Sequence, residues 1–271
     1  MSSEMTLQVL VATMHQTDFQ VAERMNLKCR AVLANQADRA EISRHDGAEG
    51  DWLMITTPTR GVGLNRNIAL LAADADILLF GDDDVVYNEG MPQAVIEAFR
   101  QNPQADVMLF GMCMMKNGQI TETRCSDIRR LRVWNSMRFG TYRIAVRRKA
   151  ILDHNITFHQ SFGGGCAFSA GEDSLFLKAC FDAGLKVYSH NYVLGNCAKD
   201  TSTWFVGYNE KYFYDKGVLV RKLFPRSAYL MALYFGLHFK RSTSLTPLKR
   251  LRLVYAGVRG GRTMTPYPGE K

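Results

Sequence analysis

Short apolar segments that end in polar residues alternate with helical patterns along the first half of this chain. An apolar run of this length is typical of a strand buried on both faces, and strands that alternate with helices pair in parallel. The pattern therefore predicts an α/β fold with a mainly parallel central sheet flanked by helices. The predicted strands are Leu7–Thr13, Cys29–Asp38, Asp51–Thr57, Asp76–Phe80 and Asp106–Met115.

Three residues mark the predicted helix ends. Asn65 is a plausible N-cap for the helical pattern that follows it, and Pro92 suits the first turn of the next helix, which should end before Asn102. Gly184 should follow the last turn of a helix that starts at "GED". The segment "RIAVRR" predicts a further strand at Arg143–Arg148.

The positive charge of the chain lies at its C-terminal end. The 271 residues carry a net charge of +8, yet from Arg221 onward there are eleven Lys or Arg and one acid, Glu270. We therefore divide the chain into an α/β domain, residues 1–220, and a basic, aromatic helical tail, residues 221–271. A basic tail indicates contact with an anionic surface, whereas nucleic-acid binding has no reader motif to support it.

The six cysteines form no C-x-x-C pair, which argues against a zinc site or a disulfide framework. They are typical of reduced thiols in a cytosolic protein. The N-terminal segment has no basic region followed by an apolar one, and no apolar run approaches the roughly 20 residues that span a bilayer. We expect a cytoplasmic protein without a signal peptide.

Three consecutive aspartates, Asp82 to Asp84, follow the strand "DILLF" and Gly81. Ligands of parallel α/β sheets bind beyond the carboxyl ends of the strands. Asp82 and Asp84 point the same way on extended backbone, so both could approach one Mg²⁺ or Mn²⁺ ion. A solvated acidic turn is the alternative.

A second acidic pair, Glu172 and Asp173, begins a predicted helix. Ser169 and Glu172 fit a capping box, and this alone could explain Glu172. Asp173 could face the cleft, where the helix N-terminus would keep it ionised as a general base. Gly163–Gly165 would allow backbone to approach a substrate closely, or form only a flexible turn.

The segment "RGVGLNRN" is neither a P-loop nor a dinucleotide-binding fingerprint. It places Arg60 and Arg66 near a helix N-terminus, a favourable place for a diphosphate, or else in a solvated surface loop. His15, His159 and His190 are isolated, and we expect each in the core or on the surface. His190 is also a weak site candidate, because it follows a strand.

Together and in this order, these segments resemble the inverting family 2 glycosyltransferases of the GT-A fold, of the bacterial surface-polysaccharide type. The resemblance covers roughly residues 7–217. It implies that the first strand, which ends at Thr13, opens the nucleotide site, and that Asp38 contacts the uracil. Arg66 and Asn67 in "GLNRNIAL" would contact the donor.

The same resemblance assigns the acidic residues. "FGDDD" is similar to the family's D-x-D motif, so Asp82 and Asp83 would lie at the donor and Asp84 would be the direct metal ligand, with Asp82 beside it. "GEDSLFLKACFDAGLKVY" resembles the family's acceptor motif, which makes Asp173 the base, with Glu172 next to it. The implied reaction is a single displacement from a UDP-sugar with Mn²⁺ or Mg²⁺.

The chain departs from the family pattern at several positions. Gly81 stands where an apolar residue is usual, and His15 and Gln16 give the first strand an unusual end. No Q-x-x-R-W segment is present, and "STWF" lies in that part of the chain, so a single-transfer enzyme fits better than a processive synthase. The candidates for the acceptor side are Gly164, Gly165, Trp204 and His190.

The tail segment "AYLMALYFGLHF" is flanked by cations, Lys240 and Arg241 among them. It suits an interfacial helix on the inner face of the cytoplasmic membrane, where a lipid-linked saccharide would be the acceptor. A helix packed on the domain is the alternative.

Two other classes of protein stay open: a non-catalytic module that binds a nucleotide or glycan, and a sugar nucleotidyltransferase, which would need a Gly-rich loop after the first strand.

Overall fold

The computed structural model describes residues 4–116, 119–123, 127–137, 139–198, 207–239 and 243–269. Four residues discussed above lie outside these ranges: Trp204, Lys240, Arg241 and Glu270. The assignment of Trp204 to the acceptor side therefore stays a prediction.

The described residues form one sheet of eleven strands, in the spatial order β3-β4-β2-β1-β5-β10-β7-β11-β6, with β8 paired to β7 and β9 to β11. The strands are β1 Leu7–Met14, β2 Arg30–Gln36, β3 Glu41–Gly47, β4 Gly50–Thr57, β5 Ile77–Asp82, β6 Val85–Tyr87, β7 Val107–Lys116, β8 Gln119–Thr123, β9 Arg129–Arg130, β10 Ile144–Arg147 and β11 Val187–Ala198.

Four adjacent strands, β4, β2, β1 and β5, run parallel, and their carboxyl ends meet at one edge of the sheet. In this register Thr13 lies beside Asn35, and Ala12 lies beside Asp82. β10 inserts antiparallel between β5 and β7. The prediction of an α/β fold with mostly parallel central strands is confirmed, although the sheet as a whole is mixed. The polar ends of the parallel strands form the floor of the site described below.

The edge strand β3 was not predicted from the sequence. It pairs antiparallel with β4, and its residues are largely exposed, including Ile42. An edge strand with solvent on most of its side chains needs no apolar run, so a search for buried strands passes over it.

The helices cover both faces of the sheet, and Pro92 and Gly184 mark helix ends as predicted. Pro92 lies in the first turn of a helix that ends at Gln101, and Gly184 follows another with φ 79°. The described helices are α1 Gln20–Arg24, α2 Val62–Ala72, α3 Met91–Gln101, α4 Val133–Ser136, α5 Arg148–Asp153, α6 Glu172–Asp182, α7 Glu210–Leu223, α8 Ala228–Leu237 and α9 Pro247–Gly260, with a 3₁₀ turn at Thr141–Arg143.

The prediction that Asn65 is the N-cap of α2 is wrong. The helix starts one turn earlier, at Val62, and Asn65 is buried inside it. Its Nδ2 donates to the backbone oxygens of Ala34, at 2.7 Å, and Thr13, at 3.3 Å. Asn65 therefore ties α2 to the C-terminal halves of β1 and β2.

Ser169 and Glu172 do not form the predicted capping box. α6 begins at Glu172 after Gly171, which has a φ of 119°. Ser169 instead donates both its backbone N–H and its hydroxyl to Oδ2 of Asp215, at 2.9 and 2.6 Å. A contact across 46 residues has replaced the local one.

The two faces of the sheet carry separate apolar cores. One face packs against α1 and α3, with Val21, Val95 and Phe99 at its centre. The other packs against α2, α5 and α6, where the rings of Phe158 and Phe176 stack at 4.3 Å between centroids. The parallel strands are thus covered on both sides, which explains their near-continuous apolar character.

A third apolar core joins α7, α8 and α9 to the segment that precedes α6 through Phe162 and Phe168. The predicted domain boundary after residue 220 falls inside α7. α7 and α9 approach closely: a Cβ on Gly257 would lie 1.9 Å from the backbone oxygen of Tyr214. The C-terminal helices thus share a core with residues on the N-terminal side of that boundary. Among the described residues, no helix combines the length and the apolar character that crossing a bilayer needs.

Candidate active site

The candidate active site lies where the carboxyl ends of the parallel strands meet the first turns of α2 and α6. β1 contributes Thr13, β5 runs into Asp82, and α6 begins with Glu172 and Asp173. In parallel α/β sheets ligands bind at this edge. The structure brings the two acidic clusters of the sequence to one place.

Arg66 joins the two acidic clusters. Its Nη2 lies 2.7 Å from Oδ1 of Asp82, and its Nη1 lies 2.9 Å from Oε1 of Glu172. The side chain is only 5% exposed, and its guanidinium lies 5.5 Å from the ring centroid of Phe158. Burial alone would lower the pKa of Arg66, but the charges and hydrogen bonds of Asp82 and Glu172 raise it above its ordinary value. One buried cation therefore fixes the spacing of two carboxylates that belong to separate motifs.

The remaining aspartates of the first cluster, Asp83 and Asp84, lie where burial and neighbouring negative charges disfavour their ionised forms. Thr13 donates its hydroxyl to Oδ2 of Asp83 at 2.6 Å, and the Cys197 thiol lies 3.6 Å from Oδ2 of Asp84. Partial desolvation, followed by the charges of Asp82 and Asp83, raises the pKa of Asp84 to about 6. Desolvation also raises the pKa of Asp83. A bound cation would relieve this repulsion.

The donor set fits a hard divalent cation that shares its ligands with a substrate. Within the described ranges, no group of three or more His, Cys, Asp or Glu could hold a metal ion without help. Arg66 occupies Oδ1 of Asp82, so Oδ2 of Asp82 and the carboxylate of Asp84 are the protein groups that would hold such an ion. Mg²⁺ and Mn²⁺ are commonly held by one or two carboxylates together with substrate phosphates and water.

Packing explains the departure at Gly81. A Cβ there would lie 2.5 Å from the hydroxyl oxygen of Tyr87, so the tyrosine occupies the space that a side chain would fill. This hydroxyl is buried, has no hydrogen-bond partner among the described residues, and has a pKa raised well above the ordinary value, chiefly by desolvation. Gly81 is therefore required by Tyr87 beneath the acidic cluster.

Asp173 lies in the first turn of α6, with Oδ1 accepting from the backbone N–H of Ser174 at 2.6 Å. We had expected the helix N-terminus to keep its pKa low. Instead, burial and then the charge of Glu172 raise the pKa of Asp173 to about 6. The carboxylate is still mostly ionised at neutral pH, and its raised pKa makes it the stronger base.

The glycine segment packs against protein rather than lying free as a turn. Gly163 has a φ of 102°, and a Cβ there would lie 2.5 Å from Val62 and 2.8 Å from Oε2 of Glu172. The backbone oxygen of Gly164 accepts from the N–H of Val62 at 3.0 Å, and Gly165 has a φ of 74°. These glycines allow close approach to α2 and Glu172, where we had predicted close approach to a substrate.

Asp38 and Arg60 form an ion pair at the rim, with Oδ1 and Nη2 2.6 Å apart. Asn67, in contrast, is buried and engages the backbone of Phe158 with both polar atoms, at 2.8 and 2.9 Å. The structure thus gives Asn67 a packing role beneath Arg66 rather than the predicted donor contact. Asp38 and Arg60 remain candidates for the nucleotide end of the site.

The histidines lie outside the acidic clusters. Nδ1 of His190 accepts from the N–H of Tyr192, and its ring lies 5.3 Å from that of Phe110, so it is a core-edge residue. The ring of His159 meets that of Phe162 at 5.0 Å. His15 ends β1 with a φ of 57°. No described hydrogen bond links these histidines to the acidic residues.

Two features of the site were missed at the sequence level. The first is the pair that holds Gln16: Nδ2 of Asn35 and Nη2 of Arg39 both donate to its backbone oxygen at 2.9 Å. The polar residues at the end of "RAVLANQ" were the available signal. The second is α7, which supplies Asp215 to Ser169 and Lys216 to the surroundings of Asp173. No sequence pattern marks it, because the partners are more than 40 residues apart.

The sheet topology, with acidic residues at the carboxyl edge of its parallel strands, is that of the GT-A fold, and comparison with known proteins agrees. The structure is similar to three solved structures of S. aureus TarS. TarS 1–349 in complex with UDP-GlcNAc has 14% identity and a TM-score of 0.61 over 94% of this chain and 72% of that one. TarS 1–349 in complex with UDP has 15% identity and a TM-score of 0.57 over 96% and 72%. A longer TarS chain has 14% identity and a TM-score of 0.56 over 94% of this chain and 43% of that one. At these identities the likeness establishes the fold.

A family model also matches part of the sequence. Residues 34–161 match the model of glycosyl transferase family 2, a range that includes Asp38, Arg66 and the aspartates from Asp82 to Asp84. The matched segment, just under half of the chain, is therefore similar to family 2 glycosyltransferases, the resemblance that the motifs had indicated. No curated protein matches the chain.

Proposed function

We propose that this protein is a metal-dependent, inverting glycosyltransferase that moves a sugar from a UDP-sugar to a hydroxyl group of a saccharide or a lipid-linked saccharide. We place this reaction in bacterial surface-glycan assembly, on the cytoplasmic side of the membrane. The observation that carries the proposal is the bridge of Arg66 between Asp82 and Glu172, because it sets the acidic donor cluster beside Asp173. The solved structures with UDP-GlcNAc and UDP support a uridine donor.

The geometry gives each residue a role in a single displacement. Asp173 accepts the proton of the acceptor hydroxyl as that oxygen attacks the anomeric carbon. The bond to the diphosphate breaks with its electron pair going to UDP, which inverts the anomeric centre. When bound at Asp82 and Asp84, Mg²⁺ or Mn²⁺ supplies charge stabilisation to the leaving diphosphate. Arg66 orients Asp82 and Glu172 on either side of the reaction.

UDP release from a panel of UDP-sugars, with Mn²⁺, Mg²⁺ or EDTA, tests this proposal. We expect release with one sugar, loss of release in EDTA, and a fall of at least about 100-fold in Asp84→Asn and Asp173→Asn. Asp153→Asn is the matched control, because Asp153 is an exposed aspartate of α5 paired with Lys149. The control should match the wild type.

Three results would overturn the proposal. Unchanged turnover in Asp173→Asn would remove the base from the mechanism. Metal-dependent binding of UDP without turnover on any sugar or saccharide acceptor would favour the non-catalytic binding module. Release of pyrophosphate from UTP and a sugar phosphate would indicate the nucleotidyltransferase.

A further inference from the structure

Helix α8 exposes five of its large apolar side chains, and it packs its small residues together with Met231 and Phe235 against the protein. Its buried residues are Ala228, Ala232 and Gly236. A helix on the surface of a globular protein normally does the opposite. The exposed set, which we call the α8 face, recurs at helical spacing and is 36% to 67% exposed: Tyr229, Leu230, Leu233, Tyr234 and Leu237.

The orientation of α8 is fixed by close packing of its small residues. A Cβ on Gly236 would lie 2.9 Å from Cδ1 of Leu251 in α9. Ala228 and Ala232 belong to the apolar core shared by α7 and α9. Turning the helix to hide its leucines would therefore push larger side chains into that contact. An apolar face held outward in this way indicates an interaction site.

A cationic groove lies between the ends of α7 and α9, beside the segment that leads into α8. Arg221, Lys222 and Arg262 line a groove with Pro225 and Gly261, and Arg221 donates to the backbone oxygen of Pro225 at 2.8 Å. The exposed Arg226 follows directly. From residue 216 to residue 269 the sequence contains eleven Lys or Arg and no Asp or Glu. The apolar face is therefore set in a segment of one sign of charge.

We propose that the α8 face and the cationic groove dock this protein on the surface of an anionic phospholipid bilayer. The leucines and tyrosines enter the boundary between head groups and acyl chains, and the cations bind the lipid phosphates. Tyrosine suits this position because its ring is apolar and its hydroxyl stays hydrated. The helix lies on the membrane, since none of the described helices could cross it.

Charge argues against a second copy of the chain as the occupant of this face. A symmetric dimer would bring the two cationic segments together without any acid between residues 216 and 269 to compensate them. Like charges at an interface disfavour it, whereas an anionic lipid surface matches both the apolar and the cationic parts.

Flotation of the full-length chain with vesicles tests the proposal. The probe is phosphatidylglycerol vesicles, with phosphatidylcholine vesicles as the uncharged comparison. We expect binding to the former, weakened by high salt, and little binding to the latter. The double variant Leu230→Gln with Leu237→Gln should bind about tenfold or more weakly, since two apolar side chains no longer enter the lipid.

The matched control changes two aliphatic residues that are more exposed than Leu230 and Leu237 but lie outside the α8 face. Ile42 in β3 is 69% exposed and Leu71 in α2 is 79% exposed. The double variant Ile42→Gln with Leu71→Gln should bind vesicles as the wild type does. A second pair, Arg226→Gln with Arg262→Gln, should reduce binding to phosphatidylglycerol and leave the thermal melting temperature unchanged, because both side chains are exposed.

Three outcomes would overturn membrane docking. They are absence of vesicle binding by the wild type, equal binding by the Leu230 and Leu237 variant, and a wild-type oligomer that this variant converts to a monomer without a change in vesicle binding. The last outcome would assign the α8 face to a second copy. Vesicle binding does not depend on turnover, so this test and the test of the glycosyltransferase proposal fail independently.

Discussion

Arg66 is the residue on which the geometry of the site depends. A buried cation paired with two carboxylates is costly to disrupt, because removal of one member leaves an uncompensated charge, at roughly 3–5 kcal/mol. Three acids of the site have raised pKa values: Asp83, Asp84 and Asp173. Ionisation of these acids destabilises the unliganded fold, so their stability contribution is present at low pH and is lost as the pH rises through their folded-state pKa values.

The raised pKa of Asp173 predicts the pH dependence of transfer. The proposed base must be ionised, so kcat/KM should fall about tenfold for each pH unit below its pKa of about 6 and should level off above it. The measurement is sugar transfer or donor hydrolysis over a pH series with saturating metal. A profile that is flat through this range would contradict the assignment of Asp173. The residual activity of Asp173→Asn should lack the inflection.

At the scale of elements, α7 holds the segment that leads into α6. Asp215 is buried, and its Oδ2 accepts two hydrogen bonds from Ser169, with Nζ of Lys211 3.3 Å away. The segment that follows Ser169 ends at Glu172, which Arg66 binds. A helix from the C-terminal part of the chain therefore positions the start of the acidic helix.

We expect Asp215→Ala to loosen this segment. Two donors of Ser169 would lose their acceptor, at about 1–3 kcal/mol for each group left buried and unsatisfied. Urea denaturation should show the lower stability, and kcat/KM should fall with it. Asp215→Asn keeps a carbonyl oxygen that can accept both hydrogen bonds, so it should recover most of the loss. Equal behaviour of the two variants would show that the contact does not hold the segment.

At the scale of the whole molecule, the C-terminal helices are part of the folded body. Phe213 and Val218 of α7 share a core with Val254 and Val258 of α9. This core also contains Phe162 and Phe168, which flank the glycine segment. Removal of the tail would uncover apolar surface on the catalytic side, which is why point variants are the better test of α8.

A chain that ends after Val220 should therefore fail to fold stably. It would lose the end of α7 and all of α8 and α9, and expose the apolar side chains of that core. We expect an aggregated product, seen as a loss of soluble yield and of a cooperative melting transition. A chain shortened by only Glu270 and Lys271 is the control. A soluble, cooperative fragment 1–220 would instead support the domain boundary predicted from the sequence.

The sequence predicted the parallel strands and the acidic clusters, because apolar runs and the polarity of strand ends are local signals. Other features depend on contacts between distant segments. Ser169 looks like a cap for α6 until Asp215 takes its hydrogen bonds. Asn67 lies in a motif that resembles the family's sugar-donor contact, yet its amide is hydrogen-bonded to the backbone of Phe158. Which side of α8 faces outward depends on Gly236 meeting Leu251, and composition alone does not encode this.

Lys216 connects helix α8 with the acidic site. Its Nζ lies 4.9 Å from the ring centroid of Phe235 in α8, and its charge acts on Asp173. Lys216 thus contacts the helix proposed to rest on lipid and interacts electrostatically with the proposed base. An acceptor anchored in the same bilayer would reach that base by lateral diffusion. Its turnover would then follow the number of acceptors per unit area of membrane rather than their concentration in the surrounding volume.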